Sequence, residues 1–298
     1  MPFKNFLDMV GNTPAVRYET EELNRARIFI KIEGQNPTGS VKDRACIYNI
    51  LGAIQDGALS RGQTILDASS GNMACSLAYF GAILGYAVEV VCSSKLTEDK
   101  AAFIRYFGAK LNTVGNFTIE GNRYCREVLV LDHPGKYSFL DQLHNWNNPR
   151  AHFEKTGPEI LREFPEAVAV VASLGSGGTL NGIARYIKQN SPHTRIVSVE
   201  SESGTKLPGV GTFVDGDYVT PFIQQLNDGL ADGAVRIGFD AAVKRNAMLK
   251  KQGFFCGLQT AAVVEAAVRY GIEASLEGDI VVISGDSGWK NMDKLRQL

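Results

Sequence analysis

Short apolar runs alternate with helix-patterned stretches along almost the whole of this 298-residue chain, and that alternation limits the fold more than any other feature. The runs fall at 28–32, 64–68, 88–92, 110–114, 167–172, 195–200 and 280–283. Helical spacing fits 41–55, 72–84, 97–107, 119–131, 149–164, 179–188, 239–251 and 260–270. In the first of these, Ile47, Ile50, Leu51 and Ile54 make one stripe. Runs such as Ala167-Val168-Ala169-Val170-Val171 are apolar on both faces, as central strands of a parallel sheet must be. The expected class is therefore α/β, with parallel-rich sheets flanked by helices. The polar stretch 141–149 reads as a crossover between two domains. Residues 201–221 hold four glycines with little periodicity and read as a functional loop.

The charge balance, 31 Lys+Arg against 32 Asp+Glu, offers no basic face for nucleic acid or for a membrane surface. Five cysteines, an odd number with no C-x-x-C pair, fit a reduced cytoplasmic protein. The four histidines are scattered, so no metal site is expected. The first residues lack a signal-peptide pattern, and no apolar run is long enough to span a bilayer.

Four loops at strand–helix junctions carry the chemistry. Pro37-Thr38-Gly39-Ser40 turns into a helix in which Lys42 is expected as the second residue, with Ser40 as a suitable N-cap. The positive end of the helix dipole disfavours an ammonium there and so favours a nucleophilic amine. Ser69-Ser70-Gly71-Asn72 offers hydroxyls and free N–H groups to a carboxylate, and Asn72 adds an amide for a ring oxygen. Gly175-Ser176-Gly177-Gly178-Thr179 suits a phosphate, although it has neither P-loop nor dinucleotide spacing. Ser287, in Ser284-Gly285-Asp286-Ser287-Gly288, can bond to a ring nitrogen. Each loop alone also reads as an ordinary turn or cap, and Lys42 alone as a surface lysine. Together they match the aldehyde, ring oxygen, phosphate and ring nitrogen of pyridoxal 5'-phosphate. A neutral serine at the ring nitrogen leaves it unprotonated, which favours β-elimination over transamination.

Lys31-Ile32-Glu33-Gly34-Gln35-Asn36-Pro37-Thr38-Gly39-Ser40-Val41-Lys42-Asp43-Arg44 resembles the Schiff-base segment of the cysteine synthase and cystathionine β-synthase family of fold-type-II pyridoxal-phosphate enzymes. Gly11-Asn12-Thr13-Pro14, Ser69-Ser70-Gly71-Asn72, residues 152–160, residues 175–179, Leu207-Pro208-Gly209-Val210-Gly211 and Asp286-Ser287-Gly288 are similar to further motifs of that family.

The resemblance implies a two-domain, tryptophan synthase β-like fold. Residues 40–145 would form a smaller, mobile domain carrying the substrate-carboxylate loop. Residues 1–39 with 146–298 would form a larger one with the phosphate and pyridine sites. It implies that Lys42 forms the Schiff base and removes the α-proton. Asn72, Gly175, Ser176, Gly177, Gly178, Thr179 and Ser287 would bind the cofactor. Ser69, Ser70, Gly71, Asn72, Met73, Gln142 and Gly209 would bind an amino-acid substrate. The implied reaction is β-replacement on an activated serine such as O-acetylserine, through an aminoacrylate, with sulfide or another small nucleophile. A homodimer and an acyltransferase partner's tail follow from the same resemblance.

Cysteine β-elimination, synthesis of another β-substituted alanine and a catalytically silent binding relative are the alternatives. The departures lie at Met73 and Ala74, where the family carries Thr-Gly. They recur at Gln259, within its Gly-Ile-Ser-Ser-Gly-Ala, and at Trp289 after Ser287. They point to a specialised relative.

Overall fold

The computed structural model describes residues 4–295. Its strands are β1 (Ala15–Tyr18), β2 (Ala26–Ile32), β3 (Thr64–Ala68), β4 (Ala87–Cys92), β5 (Lys110–Thr113), β6 (Tyr137–Phe139), β7 (Ala167–Ser173), β8 (Arg195–Ser201), β9 (Gly233–Ile237) and β10 (Gly278–Ser284). Two compact units emerge. One runs to Val41 and resumes at Pro149, and the other is Lys42–Asn148.

In the first unit the strand order is β1-β2-β10-β7-β8-β9. β1 pairs with β2 antiparallel, and the pairings from β2 through β10, β7 and β8 to β9 are parallel. Side chains alternate across this sheet with the period of two that a strand imposes. Ile28, Ile30, Ala169, Val171, Val197, Ile280 and Val282 join one core cluster, together with Ala261, Val264 and Val268 of the helix Leu258–Glu273. Val170, Ile196, Val281 and Ile283 join another, with Leu180, Ile183 and Ile187 of the helix Gly178–Asn190. Helices on both faces explain why these strands read as unbroken apolar runs.

The second unit is a sheet in the order β5-β4-β3-β6, parallel throughout. Leu66, Ala68 and Val91 pack with Cys125 and Leu129. The helix Asn72–Leu84 lies so close to β4 that a Cβ on Gly81 would overlap the Val88 side chain.

Parallel strands bring their carboxyl ends to one edge, where ligand loops gather. In the first unit that edge collects the segments after Ile32, Ser173, Ser201 and Ser284. In the second it collects those after Ala68, Cys92 and Phe139.

Three details differ from expectation. The first helix is Lys42–Gln55, so Lys42 is its first residue rather than its second, and Ser40 forms an isolated bridge with Asp286. The helical stretches around 119–131 and 149–164 contain π-helical turns, Cys125–Leu129 and His152–Thr156. Strands β1, β6 and β9 carry no strong sequence signal. They lie at sheet edges, where short length and charges such as Arg17 and Arg236 guard against stray pairing.

Candidate active site

In the first unit, the phosphate-type loop leaves β7 at Ser173 and enters the helix Gly178–Asn190 through Gly177. Gly177 has φ +82°, and a Cβ there would sit 2.5 Å from Ile223 Cγ1, so only glycine meets both demands. The loop is braced from below. Thr220 donates its hydroxyl to the Ser176 carbonyl at 2.7 Å, and Gly211 N–H donates to the Leu174 carbonyl at 2.7 Å. The Gly178 N–H donates to Ser176 Oγ at 3.4 Å. Thr179 Oγ1 lies 3.2 Å from Nε2 of the buried His152, whose Nδ1 is 2.9 Å from Thr156 Oγ1. The first turn of this helix presents N–H groups that have no partner within an α-helix. Gly175 backs closely on Gly209, since a Cβ there would stand 3.3 Å from the Gly209 carbonyl.

The loop after β10 pairs with the turn that leads to Lys42. Val41 N–H donates to the Gly285 carbonyl at 2.9 Å, and Ser287 N–H donates to the Gly39 carbonyl at 3.1 Å. Glycines at 34 and 39 make the approach possible, because a Cβ on Gly34 would stand 2.9 Å from Ser287 N and one on Gly39 3.2 Å from Ser287 Oγ. The Ser287 hydroxyl makes no hydrogen bond among the described residues and is half-buried.

A buried polar bracket holds the start of that turn. Lys31 Nζ donates to the Thr13 carbonyl at 2.8 Å and pairs with Glu159 Oε2 at 3.0 Å. Thr13 Oγ1 and Asn36 Nδ2 donate to the Glu33 carboxylate at 2.7 and 2.8 Å, and Gly11 N–H donates to Asn36 Oδ1 at 2.9 Å. The Gly11–Pro14 and Lys31–Asn36 motifs are thus one network. Each buried charge in it is held by more than one partner.

In the second unit, Lys42 opens its helix and is half-buried. Ser69 and Ser70 follow β3, Gly71 caps the helix Asn72–Leu84, and Asn72 is that helix's first residue. Ser69 Oγ accepts the Gly71 N–H at 3.2 Å. Ser70 Oγ lies 2.8 Å from Ser93 Oγ and accepts the Ser93 N–H at 2.6 Å, so that hydroxyl is anchored to the end of β4. The Met73 side chain is only 1% exposed. Gln142 is buried, donates from Nε2 to the Ala68 carbonyl at 2.8 Å and donates its N–H to Asp67 Oδ2 at 3.3 Å. One of the two hydrogens on its amide remains for a ligand. Asp67 is wholly buried, and desolvation lifts its carboxyl to about 8.

Sequence reasoning did not single out Ser93, His152, Thr220 or Gln259 as working parts of these loops. Each acts on a residue distant in the chain, and only position directly after a strand marked Ser93. All five thiols are buried. Burial pushes Cys256 up to about 12 and raises Cys46 and Cys125 as well, so these groups stay protonated and inert.

These residues fit pyridoxal phosphate. The N–H groups at the start of the following helix and the Ser287 hydroxyl, which has no hydrogen-bond partner among the described residues, suit a phosphate and a neutral ring nitrogen.

A family model described as "Pyridoxal-phosphate dependent enzyme" matches residues 6–286. The chain is 31% identical over 277 residues to cysteine synthase B of Salmonella typhimurium, covering 92% of this chain and 89% of that one. It is 31% identical over 282 residues to cysteine synthase B of Escherichia coli, covering 94% and 91%. Among solved structures it resembles O-acetyl serine sulfhydrylase isoform 3 of Entamoeba histolytica, with TM-score 0.89, 27% identity and coverage of 99% and 91%. A hydrogen sulfide-producing enzyme of Fusobacterium nucleatum gives TM-score 0.89, 28% identity and 98% coverage of both chains.

Proposed function

The chain belongs to the pyridoxal-phosphate dependent enzyme family, and from that premise we propose that it catalyses β-replacement on an activated serine of the O-acetylserine kind, with sulfide or another small nucleophile. The observation that carries this reading is Ser287. Its hydroxyl, with no hydrogen-bond partner among the described residues, is offered by a loop pinned at Gly285 and Ser287. A serine there stabilises a neutral ring nitrogen, and an unprotonated ring suits loss and replacement of a β-substituent.

Pyridoxal phosphate, when bound, supplies an electrophilic aldehyde and an electron-withdrawing ring that makes the α-proton of an amino acid removable. The rest falls to the chain. Lys42 would hold the aldehyde, and its amine would take and return the α-proton at Nζ. Gly175, Ser176, Gly177, Gly178 and Thr179 would hold the phosphate, and Asn72 the ring oxygen. Ser69, Ser70, Gly71, Asn72 and Gln142 would orient the substrate carboxylate, with Met73 and Gly209 flanking the substrate. With the carboxylate fixed, the Cα–H bond is presented to Lys42 and the β-substituent to the incoming nucleophile. The smaller unit would be the mobile one.

Sulfide release from cysteine is the second reading, favoured by the likeness to the Fusobacterium enzyme and by the apolar Met73. We further propose a homodimer, a possible acyltransferase tail as partner and a cytoplasmic setting. No helix among the described residues is long and apolar enough to cross a membrane, and the free buried cysteines suit a reducing compartment.

Purified protein is expected to absorb visible light after reconstitution with pyridoxal phosphate, and Lys42→Ala to lose that band. O-acetylserine and cysteine should each perturb the spectrum, and a panel of nucleophiles then separates replacement from elimination. A colourless reconstituted protein would refute the reading.

A further inference from the structure

Gln259 has no role in the reading above, yet it touches three segments at the carboxyl edge of the first unit's sheet. It stands in the first turn of the helix Leu258–Glu273, so its backbone is fixed. Its Nε2 donates to Ser173 Oγ at 2.6 Å, where β7 enters the phosphate-type loop, and to the Gly209 carbonyl at 3.2 Å. An amide nitrogen has two hydrogens, so both bonds hold at once. The amide also packs against Gly285, where a Cβ would overlap Oε1 and come within 2.5 Å of Cδ. Gly285 is the residue whose carbonyl accepts from Val41, one position before Lys42. Ser287 follows two residues later.

We propose that Gln259 is a positioning residue that clamps the loop after β10 to the loop after β7. It thereby sets Ser287, and the turn leading into Lys42, against residues 175–179. A shorter side chain at 259 could not bond to Ser173 and Gly209 while covering Gly285. The two loops would then move independently, and a cofactor gripped at both its phosphate and its ring nitrogen would be held less well. The inference rests on reading these loops as a pyridoxal-phosphate site.

The test compares full-length wild type, Q259L and Q259S by equilibrium dialysis against pyridoxal phosphate, by phosphorus NMR of the bound phosphate and by thermal unfolding of the cofactor-free chain. Q259L is expected to bind pyridoxal phosphate about tenfold more weakly. Its phosphorus signal should shift or broaden, while the cofactor-free chain unfolds only about 2–4 °C below wild type, the cost of two neutral hydrogen bonds in a chain of this length. G285A should weaken binding similarly, because its Cβ displaces the flexible Gln259 side chain. In a Q259S background G285A should add nothing.

If Q259L does not fold, that pair of variants decides. Unchanged affinity in the Gln259 variants, or additive losses in the double variant, overturns the clamp. So does a loss of cofactor-free stability with affinity retained. Wild type that binds no pyridoxal phosphate refutes the proposed function itself, whereas binding by wild type with no change in Q259L refutes the clamp alone.

Discussion

The loop after β3 and the loop after β7 each place a glycine immediately before a helix, Gly71 before Asn72–Leu84 and Gly177 before Gly178–Asn190. The reasons for glycine differ. Gly177 has a positive φ and is wedged against Ile223, so the fold itself demands it. Gly71 has φ −131°, and a Cβ on it would meet nothing within 4 Å. The protein does not need the space in front of Gly71. The bracing differs too. Around residues 175–179 the supports are Gly211, Thr220 and His152, with Gln259 holding Ser173. Around residues 69–72 the supports come from the ends of β4 and β6, with Val91 accepting from Ser69 N–H, Ser93 fixing the Ser70 hydroxyl and Gln142 fixing Ala68. The first loop is moulded by packing, and the second is a set of hydroxyls and amides aimed by their neighbours.

The largest expected effect sharpens that contrast. Gly177→Ala combines about 1–2 kcal/mol for a left-handed non-glycine residue with roughly 1–3 kcal/mol for overpacking against Ile223. Its urea unfolding midpoint should drop clearly. Gly71→Ala should leave the midpoint within about 0.5 kcal/mol of wild type while raising KM for the amino acid about tenfold. Equal stability losses in the two variants would break the comparison.

A smaller effect probes the hydroxyl anchor. Ser93→Ala removes one of two bonds to Ser70 Oγ and leaves the Ser93 N–H in place. The cost is about 1 kcal/mol, expressed as a severalfold rise in KM with kcat nearly unchanged. A variant with wild-type KM would show that Ser70 needs no such aim.

The central strands were legible because burial on both faces leaves only apolar residues, as in β7 and β10. Edge strands were not, since Ala15-Val16-Arg17-Tyr18 looks the same paired or unpaired. The four loops stood out only in combination, because each alone reads as an ordinary turn or cap while together their groups match those of one cofactor. The residues that aim them could not. Ser93 lies 23 positions from Ser70, His152 27 from Thr179, and Gln259 86 from Ser173, and no local pattern encodes a contact across such distances. The π-helical turns were also hidden, because the apolar spacing runs through them without a break.

The smallest effect near pH 4 concerns what lies beneath the hydroxyl loop. Asp67 sits at the end of β3, accepts N–H groups from Ala68 and Gln142, and is wholly buried. Desolvation first, and the neighbouring Asp141 charge as well, raise its carboxyl from 3.8 to about 8. The folded chain therefore holds a proton there that the unfolded chain has released, across the window from about pH 4 to about 8. Stability from this group is full below the unfolded value, falls as pH climbs through that window and levels off above the folded value. Asp67→Asn keeps a neutral group of the same shape, so its unfolding midpoint should lie close to wild type near pH 4, below the window, and above it by pH 6. Between pH 6 and 9 the wild type should lose more stability than the variant, and their difference isolates Asp67 from every other titrating group. Parallel midpoint curves would mean that Asp67 is ionised in the folded chain. In that case the loop after β3 would rest on a buried charge, and the hydroxyls and Gln142 above it would be aimed by that charge as well as by their neighbours.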